Sequence, residues 1–246
     1  MRRQIIFITL MLICVGITVW VTNMDRVGIM VPFTYEVIWM QIRRHLFSMV
    51  FPAVLIAIAI AVPVGVLVTR PGLKHLAPSV MSIASAGMAI PSMAVVAIMV
   101  PVFIAMGMRG FGISPALVAL VLWGVLPILR NTCTAINNIN PGVLEAARGM
   151  GMTRVQIARK IELPLALPVI MAGIRVATVI LVGTATLAAI IGAGGLGHII
   201  LSGVLNRAPL ITLQGAAPVA AIAITLSALL GYIEKRLTPR GISTDI

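Results

Sequence analysis

The chain consists of long apolar runs separated by short polar segments. The runs cover residues 4–22, 49–69, 78–108, 113–129, 165–197 and 208–233. Arg175, in the fifth run, is the single charged residue within them. An α-helix needs about 20 apolar residues to cross the hydrocarbon core of a bilayer. The pattern therefore predicts an all-α integral membrane protein with about six transmembrane helices.

Residues 145–164 depart from this pattern, because they are amphipathic and charged rather than uniformly apolar. Together with the residues just before them, they predict two short helices joined by a hinge. Asn140 is suited to capping the first helix, and Pro141 to its first position, where no amide hydrogen is needed. Gly151 is suited to ending that helix, because glycine adopts the left-handed conformation without a Cβ penalty.

The second short helix has its own start and stop signals. Thr153 and Gln156 have the spacing of a capping box, in which two residues exchange side-chain and backbone hydrogen bonds. Pro164 disfavours the α conformation at the residue before it. The second helix is therefore predicted to stop at Leu163, which makes residues 140–164 a rigid knuckle at the membrane surface.

The basic residues predict the orientation of the chain, since cytoplasmic loops carry an excess of lysine and arginine. If six spans alternate, one side holds Arg2, Arg3, Arg70, Lys74, Arg130, Arg148, Arg154, Arg159, Lys160, Lys235, Arg236 and Arg240. The other side holds Arg26, Arg43, Arg44, Arg109 and Arg207. Both termini and the knuckle are therefore predicted to be cytoplasmic. Nucleic-acid binding is not expected despite the net charge of +12, because the charges are spread over short loops.

The remaining polar residues give few candidate sites. No acid is predicted within a span, since the six lie in loops or at ends: Asp25, Glu36, Glu145, Glu162, Glu234 and Asp245. The histidines, His45, His75 and His198, fall at span ends and are predicted to lie on the surface. Cys133 is predicted to lie in a cytoplasmic loop, and no metal-ligand spacing occurs. Four residues remain as structural or pathway candidates: Pro91, Ser92, Arg175 and Thr184.

Residues 192–197 fit the pattern G-x-G-x-x-G of dinucleotide-binding folds. They follow an apolar run that is too long for a strand, so a glycine-rich turn at the end of the fifth span is the better interpretation. The sequence contains no G-x-x-x-x-G-K-[ST] loop. The chain is therefore not expected to use ATP itself or to be an enzyme.

The knuckle matches the pattern E-A-A-x3-G-x9-I-x-L-P at every fixed position. These positions are Glu145, Ala146, Ala147, Gly151, Ile161, Leu163 and Pro164. The match resembles the EAA loop of permease subunits in binding-protein-dependent ABC importers. The resemblance implies the type I (MetI-like) permease fold with a cytoplasmic coupling helix.

The same resemblance implies how the chain is organised. A single permease domain would span residues 1–246. Residues 1–48 would form an N-terminal anchor helix and an external segment, and residues 49–236 the core helices. Residues 140–164 would form the coupling loop, with Thr153 adding a helix cap to the motif positions.

The resemblance also implies partners for the chain. The coupling loop would dock on a cytoplasmic ATPase dimer, with Glu145 near a basic residue of that partner and Gly151 giving the turn. A second permease chain, identical or related, and an extracytoplasmic binding protein would complete the complex in the cytoplasmic membrane of a prokaryote. ATP and Mg would bind in the ATPase, which leaves this chain without a cofactor.

Further stretches resemble the osmoprotectant branch of these permeases, which takes up glycine betaine, choline, carnitine and related quaternary amines. They are residues 126–132, 148–153, 163–170, 172–175, 183–189 and 192–197. A permease for another small solute, such as an amino acid, is the alternative, because the loop contacts the ATPase and not the cargo. A secondary carrier or channel is the alternative from a different class, and a carrier would need acids inside its spans.

Overall fold

The structure is a computed structural model that describes residues 33–70 and 72–237, together with residues 16 and 19. Apart from those two residues, the predicted first span at 4–22 lies outside the described part of the chain. Cys14 and the acids Asp25 and Asp245 also lie outside it.

The described residues form helices and connecting turns, without a strand among them. The helices are α1 (Tyr35–Val68), α2 (Ala77–Ala89), α3 (Ser92–Ala105), α4 (Ile113–Asn137), α5 (Pro141–Gly149), α6 (Arg154–Thr184), α7 (Leu196–Leu205) and α8 (Pro209–Leu237). Short 3₁₀ turns occur at Lys74–Leu76 and Leu187–Ile191. Of the described helices, α1, α4, α6 and α8 are long and apolar enough to cross a membrane, and the bent pair α2–α3 would make a fifth span. The all-helical prediction is confirmed.

The third apolar run is not one continuous span. It contains α2 and α3, which meet at an angle of 98°. Between them Ile90 is extended, with ψ of 130°, and Pro91 precedes the first residue of α3. A proline lacks the amide hydrogen that a helix needs and pushes the preceding residue out of the α conformation. Pro91 therefore lies at the break, which hydropathy alone does not reveal.

Two helices are longer than the charge-free runs that predict them. The fourth run ends before Arg130, yet α4 continues to Asn137. Cys133 is consequently a buried helical residue and not a loop residue as predicted. The second run begins at Met49, whereas α1 begins at Tyr35 and includes a π-helical turn at Arg44–Val50. A helix continues past a charge when the long side chain can reach a polar surface.

His45 is buried in α1 and not on the surface as predicted. Its Nε2 atom lies 3.0 Å from the carbonyl oxygen of Val182, and Nε2 donates, since a carbonyl only accepts. Gly195 leaves room for the ring, because a Cβ atom there would lie 3.2 Å from Nδ1. The glycine-rich turn thus has a packing role, and its Gly192, Gly194 and Gly195 all have positive φ. The prediction of a turn is confirmed, although α6 already ends at Thr184.

Helix α4 is the centre of the bundle. It packs along α1 on one side and α6 on the other, and α2 and α3 also lie against it. Helix α8 packs along α6 and α7. The loop that carries the motif lies between α4 and α6, so both of its ends are attached to central helices.

Glycines allow the three central helices to approach closely. A Cβ atom on Gly65 of α1 would lie 2.7 Å from Thr132 Cγ2 of α4, and one on Gly173 of α6 would lie 2.6 Å from Asn131 Cβ. Gly124 of α4 is similarly enclosed by side chains of α1 and α6. Lipid is as apolar as leucine, so close van der Waals packing at small residues holds membrane helices together.

We expect Gly173→Ala to lower the thermal stability of the protein in detergent relative to Gly183→Ala. Both glycines lie in α6, so both variants gain similar helix propensity, but no heavy atom lies within 4 Å of a Cβ at Gly183. Overpacking costs about 1–3 kcal/mol. The melting temperatures of the two variants would be compared with a fluorescence assay that does not rely on the reaction of a dye with cysteine thiols. Equal melting temperatures would contradict the close contact of α4 with α6.

Candidate functional site

Helix α5 begins as its sequence predicts. The side chain of Asn140 accepts a hydrogen bond from the backbone amide of Gly142, at 2.9 Å, and Pro141 occupies the first turn. The asparagine thus satisfies one of the amides that a helix start leaves without a partner. The first boundary of the loop is therefore set by neighbouring residues and requires no tertiary contact.

The hinge after α5 is a two-bond glycine cap. The amide of Gly151 donates to the carbonyl of Arg148, at 2.9 Å, and the amide of Met152 donates to Ala147, at 3.2 Å. This pair of bonds is the Schellman arrangement, in which the first of the two donor residues adopts the left-handed conformation. Gly151 supplies it with φ of +77°. The predicted role of Gly151 as the hinge is confirmed.

Helix α6 begins with the predicted capping box. The amide of Thr153 donates to Gln156 Oε1, at 2.8 Å, and the amide of Gln156 donates to Thr153 Oγ1, at 3.3 Å. Both bonds lie in the exposed part of the loop. Because each end of the hinge is closed by local bonds, α5 and the start of α6 hold a fixed angle.

The second short helix predicted for the loop, which is the start of α6, does not stop at Leu163 as predicted. Leu163 is helical, with φ of −62° and ψ of −48°, and α6 runs without a break from Arg154 to Thr184. A π-helical turn at Ala158–Glu162 precedes Pro164, and the amide of Leu163 donates to Ala158. The wider turn moves the backbone carbonyl that the proline ring would otherwise meet. The loop is thus continuous with a membrane-spanning helix.

The motif residues divide into an exposed group and a packed group. Glu145, Ala146, Gly151, Thr153 and Leu163 are exposed, whereas Ala147 is buried and Ile161 and Pro164 are half-buried. Three apolar residues outside the motif are also exposed on the loop, namely Val143, Met150 and Val155. An exposed apolar group on a capped, polar loop is typical of a protein-binding surface. The motif does not identify these three residues, because Met150 and Val155 occupy variable positions of the pattern and Val143 precedes it.

An ion pair that the sequence does not predict ties the loop to α1. Arg70 Nη1 donates to Glu162 Oε2, at 2.6 Å, across 92 positions of sequence. Glu162 lies inside the continuous helix α6, which corrects its predicted place in a loop. Nothing in the spacing of residues so far apart could have revealed the contact.

Arg175 also pairs with an acid inside a helix. Its Nη1 lies 3.4 Å from Glu234 Oε2, and Glu234 lies three residues before the end of α8, in agreement with its predicted place at a span end. Gly231 makes room for the guanidinium, since a Cβ there would lie 2.8 Å from Nη1. A charge inside a membrane helix is costly unless it is paired. The pair supports the structural interpretation of Arg175 over the pathway interpretation.

The other pathway candidates lie apart from the loop. Pro91 and Ser92 are at the break between α2 and α3, and Thr184 is the buried last residue of α6. Among the described residues, no hydrogen bond or ion pair joins these positions to the loop. Their roles remain predictions.

The sequence of this chain was compared with those of known protein families. The sequence profile of the family described as binding-protein-dependent transport system inner membrane component matches residues 61–240. The chain belongs to this family. The matched residues include the whole coupling loop, both central helices that flank it, and all of α8.

Several proteins similar to this chain are named as permeases for osmoprotectants, choline or carnitine. The chain is 41% identical to the osmoprotectant import permease protein OsmW of Salmonella typhimurium, over 89% of this chain and 96% of that one. It is 44% identical to the choline transport system permease protein OpuBB of Bacillus subtilis, over 77% and 83% respectively. It is 41% identical to the carnitine transport permease protein OpuCB of Listeria monocytogenes, over 82% and 88%.

Solved structures confirm the MetI-like fold. An inward-facing conformation of the MetNI methionine ABC transporter contains a chain that matches with a TM-score of 0.73 and 27% identity, over 84% of this chain and all of that one. An amino acid ABC transporter with histidines matches with a TM-score of 0.61 at 18% identity, which bears on the fold alone. The predictions of an ABC permease family and of its fold are therefore confirmed.

We expect Gly151→Ala to loosen the coupling loop, whereas Gly149→Ala leaves it intact. Neither position has an atom within 4 Å of the added Cβ, but only Gly151 has a positive φ. The left-handed conformation costs a residue with a side chain about 1–2 kcal/mol. Amide hydrogen exchange over residues 141–160 should accelerate about 5- to 30-fold for Gly151→Ala, if exchange follows local opening. Similar exchange in the two variants would show that the hinge conformation is not required.

Proposed function

We propose that this chain is the membrane-spanning subunit of an ABC importer for osmoprotectants of the glycine betaine, choline and carnitine class. The geometry of residues 140–164 is the observation that carries the proposal. It is a locally capped loop with an exposed apolar group, and it continues directly into a spanning helix. A movement imposed on such a loop is transmitted to the bundle as a movement of α6.

The proposed partner of the loop is a cytoplasmic ATPase dimer, which binds ATP and Mg. Val143, Met150 and Val155 would fill an apolar groove of the ATPase, and the exposed Glu145 would pair with a basic residue at its rim. Closure of the ATPases on ATP would then draw the loops of two permease chains together. The permease alternates between inward- and outward-facing states, because ATP binding favours one of them through different contacts.

The acidic residues support an external energy source. Of those that the structure describes, Glu162 and Glu234 each pair with an arginine, while Glu36 and Glu145 are exposed. A carrier driven by protons or sodium typically places an acid where it can exchange its ion. Paired acids in α6 and α8 favour the ATPase-driven importer over a secondary carrier.

The relatives favour osmoprotectants over amino acids as cargo, since three of them at 41–44% identity are named for osmoprotectant, choline or carnitine transport. The methionine transporter chain is 27% identical. Quaternary ammonium groups are typically held between aromatic rings. Here the side chains of Tyr35, Trp39, Phe47, Phe111 and Tyr232 are exposed, so none of them encloses a buried site within this chain. We therefore assign selection to an extracytoplasmic binding protein and only weak binding to the permease.

The proposed complex contains two permease chains in the inner membrane, with the termini of this chain in the cytoplasm. The family description supports the inner membrane. The excess of basic residues near the coupling loop supports a cytoplasmic position for it. The second chain is a copy of this one or a related permease.

We expect Glu145→Arg to reduce copurification of the ATPase with this chain, because a second positive charge would face the basic rim of the groove. Glu36→Arg is the matched control, since Glu36 is equally exposed but lies in the first turn of α1. A tagged permease coexpressed with its ATPase would be purified and the subunit ratio measured by native mass spectrometry. Unchanged ATPase recovery for Glu145→Arg would show that this charge is incidental.

We expect proteoliposomes that contain the complex and its binding protein to accumulate glycine betaine, choline or carnitine in the presence of internal ATP. Labelled methionine should not accumulate. Methionine uptake would assign the complex to amino acid cargo. Uptake driven by an ion gradient without ATP would support a secondary carrier instead.

A further inference from the structure

The end of α1 nearest the coupling loop is fixed to both helices that carry the loop. We propose that the Arg70–Glu162 ion pair makes α1 the lever that transmits loop movement to the opposite end of the bundle. The two residues would be positioning residues for the coupling of ATP hydrolysis to transport. This inference rests on the proposed function of the loop.

The first attachment is the ion pair itself. The 2.6 Å bond joins side chains that are 30% exposed in Arg70 and 10% exposed in Glu162. Glu162 occupies the π-helical turn of α6, between the motif residues Ile161 and Leu163. A charge-assisted bond in a partly buried place is less screened by solvent than a surface pair. Movement of the motif segment therefore acts directly on Arg70.

The second attachment is a close contact with α4, the helix that enters the loop. Gly65 lies against Thr132, and the thiol of Cys133 lies 3.8 Å from the carbonyl oxygen of Gly65. Gly65 is little more than one turn from Arg70. The end of α1 is thus held by packing on the helix before the loop and by charge on the helix after it. When the loop moves as a rigid unit, α1 must follow.

Because α1 is long, a movement at its attached end would reach the opposite end of the bundle. From Arg44 to Val68, where the helix ends two residues before Arg70, α1 is about 36 Å long at 1.5 Å per residue. At the far end Arg44 lies over Gly194, where a Cβ would be 3.1 Å from Nε, and His45 bonds to Val182. Helix α1 therefore contacts the glycine-rich turn at the end opposite the coupling loop. Tilting of α1 would change the contacts there.

A second ion pair supplies a comparison within the same helix. The Arg175–Glu234 pair also joins α6 to a neighbouring helix, but it is longer, at 3.4 Å, and more exposed. It connects α6 with α8, and Arg175 lies 11 positions after Pro164, the last residue of the motif. If any ion pair on α6 served equally well, loss of either would have the same effect. The lever proposal predicts different effects.

The test measures solute transported per ATP hydrolysed by the complete complex in proteoliposomes, with glycine betaine as solute. For Glu162→Gln we expect this ratio to fall about threefold or more. ATP hydrolysis and ATPase recovery should stay within about twofold of the unaltered complex, because the ATPase site and the transport pathway are separate sites that are coupled to each other. The exchanged pair Arg70→Glu with Glu162→Arg should restore most of the ratio. Glu234→Gln should leave it unchanged.

Several outcomes would overturn the proposal. If uptake and hydrolysis fall together for Glu162→Gln, the ratio is unchanged and the pair has only a structural role. An equal loss of ratio in Glu234→Gln would show that the effect is not specific to α1. If single variants fail to assemble, the exchanged pair decides: a normal ratio supports the lever, and a reduced ratio contradicts it. Failure of the unaltered chain to retain an ATPase would instead refute the proposed function.

Discussion

Contact between α4 and the helices on either side of it is the constraint on which the rest of this bundle depends. Gly65 and Gly173 bring α1 and α6 against α4 at one level, at Thr132 and Asn131, and Gly124 does so at a second level, where any side chain would meet its neighbour. In lipid, helix association gains little from hydrophobicity, and close packing must supply the attraction. Because α4 and α6 also flank the coupling loop, the same contacts fix where the loop emerges. Stability and function thus depend on the same three helices.

Charged residues within the helices are arranged in a way that suits a bundle without its own energy source. Each of the two acids inside α6 and α8 is paired with an arginine from another element. Pairing reduces the cost of holding a charge within a membrane protein. It also links helices that carry few other polar contacts, so the ion pairs define which helices move together. Arg70 and Glu162 link α1 to the loop, and Arg175 and Glu234 link α8 to α6.

The coupling loop combines local rigidity with an exposed surface. Its caps use only hydrogen bonds between residues at most five positions apart, so its shape does not depend on contacts with the rest of the bundle. Its apolar residues remain available to a partner because they are exposed, with Met150 at 73%. A rigid surface loses little conformational entropy on binding. Such a loop can therefore bind a partner and also transmit the movement of that partner to the bundle.

What the sequence determined by itself is local. The apolar runs predicted the spanning helices, and Asn140, Gly151, Thr153 and Gln156 predicted the caps, because hydropathy and capping act between residues a few positions apart. Tertiary structure decided the rest. The burial of His45 and the pairing of Arg70 with Glu162 depend on which helices lie side by side. A charged residue ends an apolar run in the sequence, but it does not end a helix when an oppositely charged residue 92 positions away pairs with it, as Arg70 pairs with Glu162.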